Sequence, residues 1–152
     1  MAELVDDLKK VPLFSGLGER QLKRLARDFK EREFAPGTTP LREGHMSGIG
    51  FFVIRGGEAS VSRSGAEVAR LGAGDHFGEL GLISDRARTA TVTAETSLQT
   101  AMLTSWEFKE FVQENPEVAW NLLQHVVDKL AEVEERQSGG GATGAAPPAE
   151  LS

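Results

Sequence analysis

The chain has 152 residues, of which 39% are hydrophobic and 26% are charged, a composition that fits one globular domain. It contains no cysteine, which excludes disulfide bonds and thiolate metal sites, and its net charge of −6 opposes binding to nucleic acid phosphates. The opening MAELVDDLKK lacks the apolar stretch of a signal peptide, and no apolar run approaches the roughly 20 residues that span a bilayer. We therefore expect a cytoplasmic protein that does not enter a membrane.

The first predicted element is a helix whose apolar face is formed by Leu22, Leu25, Ala26 and Phe29. Basic residues lie in or next to the same stretch: Arg20, Lys23, Arg24, Arg27 and Lys30. One interpretation of them is a basic patch that binds a partner. We favour a solvated helix face, because the polar side of an amphipathic helix usually contacts water.

Between Glu31 and Leu103 the pattern changes to short β-like runs separated by glycine, proline and serine. The predicted strands include residues 50–54, 59–61, 67–71, 89–94 and 98–103. Turn signals at Gly56-Gly57 and Ser64-Gly65 separate some of these runs. About eight short strands at regular spacing predict a mostly β fold, a barrel or jelly roll, with flanking helices.

Helix is predicted again after Ser105 as the N-cap, and Asn115-Pro116 ends this helix and begins the next. The last helix is predicted from about Glu117 to Arg136. Its apolar seam has heptad-like spacing and consists of Ala119, Leu123, Val126, Leu130 and Val133, widened by Val118, Leu122 and Val127. The glycine- and proline-rich end of the chain predicts a domain over 1–137 and a disordered tail or linker over 138–152.

Residues 72–92, GAGDHFGELGLISDRARTATV, are the stretch that points to a ligand. The glycines let the backbone approach a ligand closely, and residues 78–83 can form one helical turn whose N–H groups attract an anion. Arg88 offers a planar guanidinium suited to phosphate oxygens, and Glu79 offers a carboxylate that can accept hydrogen bonds from sugar hydroxyls. Together they predict a phosphorylated sugar. The alternative is that Glu79 and Arg88 only pair with each other in a surface loop, and spacing alone leaves both open.

Two motifs in this stretch, residues 77–83 (FGELGLI) and 88–92 (RTATV), resemble the phosphate-binding cassette of the cyclic nucleotide-binding domain family. That family includes the sensor domains of protein kinase A regulatory subunits and of catabolite activator protein. Other stretches resemble the family as well: residues 11–14, 34–37, 42–44, 52–57 and 72–75. The resemblance covers about residues 8–136 and implies an eight-stranded β jelly roll with N-terminal and C-terminal helices.

The resemblance also implies roles for individual residues. Glu79 would bind the ribose 2′-hydroxyl, Arg88 the exocyclic phosphate oxygens, and the backbone N–H groups of Gly81 and Thr89 would complete the phosphate site. The implied nucleotide-binding residues are Gly78, Glu79, Leu80, Gly81, Arg88, Thr89 and Ala90. Ala87 and Gly81 depart from the family pattern, in which proline and alanine are frequent at these positions.

The implied ligand is cAMP, because many bacterial cAMP binders have a similar RTAT form. Binding of cGMP is the alternative, since in some members a threonine at the position of Thr89 contacts guanine. We expect a sensor that is not an enzyme and needs no cofactor. The histidines His45, His76 and His125 are isolated, which argues against a metal site and leaves His76 at most a minor polar contact.

The last helix is expected to close over the base and to relay binding to a protein effector of unknown identity. We expect a monomer or a weak dimer, and we find no basic recognition helix for direct DNA binding. Trp106 and Trp120 are interpreted as core or helix-packing residues, and the alternative is base stacking, with Trp120 as a cap over the base. The rival interpretation is a structural interaction module that has the same fold but binds no ligand.

Overall fold

A computed structural model describes residues 2–42, 50–83 and 90–139 of the chain. The helices are α1 (Ala2–Lys9), α2 (Glu19–Ala26), α3 (Ser105–Glu114) and α4 (Pro116–Gly139), with short 3-10 helices at Pro12–Phe14 and Glu79–Leu82. The strands are β1 (Lys30–Phe34), β2 (Phe51–Gly56), β3 (Ala59–Arg63), β4 (Ala66–Leu71), β5 (His76–Phe77), β6 (Thr91–Ala94) and β7 (Leu98–Leu103). Helices from both ends of the chain thus flank a β-rich centre, as predicted.

The strands form two antiparallel sheets, one with the order β1-β7-β2-β5 and the other with the order β4-β3-β6. An isolated bridge pairs Leu41 with Val92, whose N–H donates to the carbonyl of Leu41 at 2.8 Å. This arrangement confirms the predicted mostly β fold with flanking helices. The predicted number of eight strands is not reached within the described ranges, which contain seven.

Strand β2 is buried on both faces, which explains its unbroken apolar sequence FFVI. Phe51 and Val53 pack in a cluster with residues of the helices, and Phe52 and Ile54 pack in a second cluster whose residues come from both sheets. We call these clusters the helical core and the sheet core. Because side chains alternate along a strand, the four consecutive residues supply both cores in turn.

Aromatic rings join the two ends of the chain in the helical core. The ring of Phe14 lies 5.6 Å from that of Phe51 in edge geometry and 5.9 Å from that of Phe108 in α3. Helix α1 adds the buried residues Leu4, Val5 and Leu8. The sequence did not predict a helix there, because eight residues are too few to reveal a helical period.

Helix α3 begins with a reciprocal cap between its first turn and the preceding residue. Glu107 donates its N–H to Thr104 Oγ1 at 3.3 Å, and Glu107 Oε1 accepts from the N–H of Thr104 at 3.1 Å. This is a capping box, so Thr104 is the N-cap and the prediction of Ser105 was wrong by one residue. The predicted boundary at Asn115 is confirmed, since α4 begins with Pro116.

Helix α4 is only partly covered by the rest of the described chain. Val118, Leu122 and Val133 are buried, whereas an apolar strip is between 40% and 54% exposed. This strip, which we call the α4 stripe, consists of Leu123, Val126, Val127 and Leu130. Trp106 and Trp120 are also exposed, so their interpretation as packing residues was wrong.

Helix α4 ends at Gly139, three residues past the predicted end of the last helix at Arg136. Helix α4 continues through residues 138 and 139, two positions past the predicted domain end. The predicted tail from 140 onward falls outside the described residues and stays a prediction. Within the described ranges, no helix combines the length and the apolarity needed to cross a bilayer.

Candidate functional site

A tight turn at residues 72–75 holds the entry to the candidate site against β2. Gly72 donates its N–H to Asp75 Oδ2 at 2.8 Å. Gly74 donates its N–H to the carbonyl of Ile54 at 2.8 Å, and Ile54 donates its own N–H to the carbonyl of Asp75 at the same distance. Gly74 has a φ of +92°, a conformation that a side chain would strain. The turn therefore fixes the direction in which the chain enters β5.

Helix α1 is tied to the same region by ion pairs. Arg55 Nη1 lies 2.7 Å from Asp7 Oδ2, and Arg55 Nη2 lies 3.4 Å from Glu3 Oε2. A Cβ atom placed on Gly74 would lie 3.4 Å from Asp7 Oδ1, so Asp7 borders the turn. The first helix, the end of β2 and the entry to the site thus form one connected region.

The two residues of β5 contact the two cores. Phe77 stacks on Phe52 of the sheet core, with ring centroids 4.9 Å apart and planes 17° apart. The His76 ring lies 5.7 Å from the ring of Phe51, which belongs to the helical core. These contacts anchor the strand immediately before the residues that the sequence predicts to bind a ligand.

A single 3-10 turn follows β5. Gly78 has a φ of +84°, which turns the chain out of the strand into the helix Glu79–Leu82. Leu82 is buried in the helical core, where it packs with residues of the helices. Its neighbour Ile83 is 62% exposed.

Glu79 has one paired and one unpaired carboxylate oxygen. Its Oε1 lies 3.6 Å from Nε2 of His76. Its Oε2 is fully buried and has no hydrogen-bond partner among the described residues. An unsatisfied buried acceptor costs about 1–3 kcal/mol, so native structures seldom keep one without a role. Glu79 Oε2 is therefore a candidate acceptor for a hydroxyl of a ligand.

The predicted site residues fall into three groups, of which the structure describes two. Residues 78–81, namely Gly78, Glu79, Leu80 and Gly81, share one turn. Ala90 is buried next to the start of β6. Arg88 and Thr89 lie outside the described residues, so their predicted roles stay predictions.

Sequence reasoning missed the contact of His76 with Glu79. The available signal was the spacing of three residues, which brings two side chains to the same side of a helical turn. That signal is weak, because residues 76 and 79 belong to a strand and a turn rather than to one helix.

Residues 31–115 match the family model described as the cyclic nucleotide-binding domain. The chain belongs to the cyclic nucleotide-binding domain family. This membership confirms the resemblance inferred from the two motifs and identifies the chain as a regulatory binding domain of that family.

Individual relatives agree with this assignment. The chain is 42% identical over 98 residues to the cAMP-dependent protein kinase regulatory subunit of Yarrowia lipolytica. This alignment covers 63% of this chain and 26% of the relative. It is 38% identical over 88 residues to the cGMP-dependent protein kinase of Eimeria tenella, in an alignment that covers 58% of this chain and 9% of the relative. The chain thus spans about a quarter or less of the length of these two curated relatives.

A solved structure is similar to this chain over most of its length. The N-terminal domain of a transcriptional regulator from Streptomyces coelicolor A3(2) superposes with a TM-score of 0.75 at 30% sequence identity. The match covers 86% of this chain and 96% of that domain.

Proposed function

We propose that this domain senses a cyclic nucleotide, with cAMP as the preferred ligand, in a cassette that includes Glu79 and Arg88. The observation that carries the proposal is the buried and unpaired Oε2 of Glu79 at the start of a turn that follows β5. A ribose 2′-hydroxyl would satisfy this acceptor. The guanidinium of Arg88 and the N–H groups of Gly81 and Thr89 would bind the cyclic phosphate.

The choice between cAMP and cGMP rests on sequence alone. One relative is named for cAMP and another for cGMP, and both names describe those proteins only. The RTAT form of residues 88–91 favours cAMP, while the hydroxyl of Thr89 is the feature that would favour guanine. The ratio of the two affinities decides this point.

A structural interaction module without a ligand is the second candidate, and the geometry of Glu79 speaks against it. In such a module the buried Oε2 would keep its desolvation cost in every state of the protein. A binding domain recovers that cost whenever a hydroxyl donates to the oxygen.

We further propose that α4 relays binding by closing over the base, in a monomer or weak dimer that acts on a protein effector in the cytoplasm. The exposed α4 stripe supports this role, because it is apolar surface that a nucleobase or the cassette can cover. Only a difference in nucleotide affinity between open and closed positions of the helix is required.

Calorimetric titration of the chain with cAMP and with cGMP tests the proposal. Binding of either nucleotide, lost or weakened by Glu79→Ala and kept by Glu110→Ala, is the expected result. Glu110 is a matched control because it is an exposed carboxylate on α3. Absence of binding at millimolar concentrations of both nucleotides would favour the structural module.

A further inference from the structure

The imidazole of His76 is held between an aromatic ring and a carboxylate. About a quarter of the side chain is exposed (23%), and the ring lies 5.7 Å from that of Phe51. On its other side, Nε2 lies 3.6 Å from Glu79 Oε1, a separation longer than an ordinary hydrogen bond. At this distance the two groups attract each other mainly when the imidazole carries a proton.

The pairing distinguishes the two oxygens of Glu79. His76 faces Oε1, and the buried Oε2 is the oxygen left without a hydrogen-bond partner among the described residues. We propose that His76 is a positioning residue that orients Glu79 toward the ribose of the nucleotide, and that protonation of His76 strengthens nucleotide binding. This inference rests on the proposed function, in which Glu79 accepts a hydrogen bond from a ribose hydroxyl.

The direction of the pH effect follows from the charges. Histidine side chains ordinarily gain a proton as the pH falls from about 8 to about 5. A protonated His76 would hold Glu79 Oε1 more firmly and would also bring a positive charge near an anionic ligand. Both effects tighten binding at lower pH, whereas the cyclic phosphate keeps one negative charge throughout this range.

Among the described residues, the charged groups on the elements packed against His76 form other ion pairs or are exposed. Strand β2 faces His76 with apolar Phe51 and Val53, and its Arg55 pairs with Asp7 and Glu3 of α1. Helix α3 packs on the 3-10 turn, and its Glu107 pairs with Lys30 of β1. The other ionisable residues of α3, Lys109, Glu110 and Glu114, are exposed. Among the described residues, Glu79 is the acid within ion-pair distance of His76.

Titration calorimetry with cAMP at about pH 6 and about pH 8, at constant ionic strength, tests the inference. We expect the parent chain to bind about 3-fold more tightly at the lower pH, the effect of one partly exposed ion pair. His76→Phe keeps a ring against Phe51 but has no proton to gain, and it should bind equally at both pH values. His76→Gln should also lose the pH dependence, and it decides the question if His76→Phe does not fold.

His125→Gln is the matched control. His125 lies on α4, with its Nδ1 3.0 Å from Ser15 Oγ, so its loss should leave the pH dependence of the parent chain intact. Retention of the pH dependence in both His76 variants would overturn the inference, as would a parent chain that binds equally at both pH values.

A readout without nucleotide separates this inference from the proposed function. The ring nitrogen chemical shifts of His76 should change in Glu79→Gln if the two side chains interact, and identical shifts would overturn the pairing. Binding of cAMP without pH dependence would overturn this inference alone. Failure of the parent chain to bind cAMP or cGMP would overturn both the inference and the proposed function.

Discussion

Glu79 and Arg88 are expected to make two different kinds of contact with a nucleotide. Glu79 would accept a hydrogen bond from a neutral hydroxyl, whereas Arg88 would contact a charged phosphate. The second contact is stronger, because charge-assisted hydrogen bonds are roughly twice as strong as neutral ones. The two residues therefore differ in how much affinity each variant should lose.

We expect Arg88→Ala to lower the affinity for cAMP by at least about 30-fold, because it leaves a bound phosphate charge without its partner, a loss of roughly 2–5 kcal/mol. Glu79→Ala should weaken binding less. Calorimetry measures both losses, and circular dichroism checks that the variants are folded. Arg63→Ala, which removes an exposed arginine at the end of β3, is the control. Unchanged binding by Arg88→Ala would refute the phosphate assignment.

Asp28 provides a prediction on stability that does not involve the ligand. Burial first, and then the charges of Glu107 and Glu114, raise the pKa of Asp28 above its ordinary value of 3.8. The folded state therefore holds a proton on Asp28 more tightly than the unfolded state does. The free energy of unfolding falls as the pH rises through the folded-state pKa, and at neutral pH the whole cost is present. We expect Asp28→Asn to raise the Tm at neutral pH.

This gain in Tm should shrink as the pH falls below about 4, where the aspartate is protonated in both states. Thermal unfolding at several pH values measures it. Asp128→Asn, an exposed position on α4, should change the Tm little at any pH. A lower Tm for Asp28→Asn at neutral pH would contradict the raised pKa.

Among the secondary-structure elements, the sequence predicts best the strands whose apolar residues form a clear pattern. Strand β7 lies at the predicted residues 98–103, and β2 follows from the apolar run that begins at Phe51. Helix α1 was not predicted because its eight residues are too few to reveal a helical period. The N-cap of α3 was misassigned because Thr104 and Ser105 are neighbouring hydroxyl residues, although the pair Thr104 and Glu107 matches a capping box.

The sequence predicted the residues of the candidate site, but it did not predict the contacts that their side chains make. The glycines and Glu79 of residues 78–81 indicate a turn that binds a ligand, and the structure has that turn. The division of Glu79 into a paired and an unpaired oxygen depends on the position of His76, which no spacing rule across a strand and a turn determines. Likewise, the apolar seam of α4 does not reveal which of its residues the rest of the chain covers.

Gly57 and Gly65 both have a positive φ but differ in the space around them, so alanine variants at the two positions distinguish the steric cost of a side chain from its conformational cost. Gly57 follows β2 with a φ of +90°, and a Cβ atom there would overlap the carbonyl oxygen of Ser97. Gly65 has a φ of +83°, but a Cβ atom there would have no neighbour within 4 Å. We expect Gly65→Ala to lower the free energy of unfolding by about 1 kcal/mol. Gly57→Ala should cost about 1–3 kcal/mol more.

Urea unfolding of the two variants measures this difference. Because both positions require a positive φ, Gly65→Ala is the control for the conformational cost alone. Equal losses of stability would show that the loop around Ser97 yields freely to a new methyl group.

Helix α4 leads to a prediction on hydrogen exchange. If the α4 stripe closes over the bound nucleotide, backbone amides from Trp120 to Val133 should exchange more slowly when cAMP is present. Sedimentation of the same samples shows whether the stripe is instead covered by a second copy. Equal exchange of α4 with and without cAMP, while residues 78–83 respond, would place the relay in another element.

At the scale of the whole molecule, a ligand that binds only the folded chain must stabilise it. At about 100 times its dissociation constant, cAMP should add about 2.7 kcal/mol to the free energy of unfolding. For a domain of this size the Tm should rise by roughly 5–10 °C. Arg88→Ala at the same cAMP concentration is the control and should show at most about a third of that rise, because for a site weakened about 30-fold this concentration is only about 3 times the dissociation constant. No rise with either cAMP or cGMP would contradict the sensor function.

The contacts of the short strand β5 determine which parts of the domain a bound ligand would stabilise. Its residue His76 contacts Phe51 and its residue Phe77 contacts Phe52, and these two neighbours on β2 belong to different cores. A ligand bound at Glu79 is therefore separated by only two or three residues from both apolar interiors of the domain. Loosening of either interior would disturb the site, and a bound ligand would resist the loosening of both.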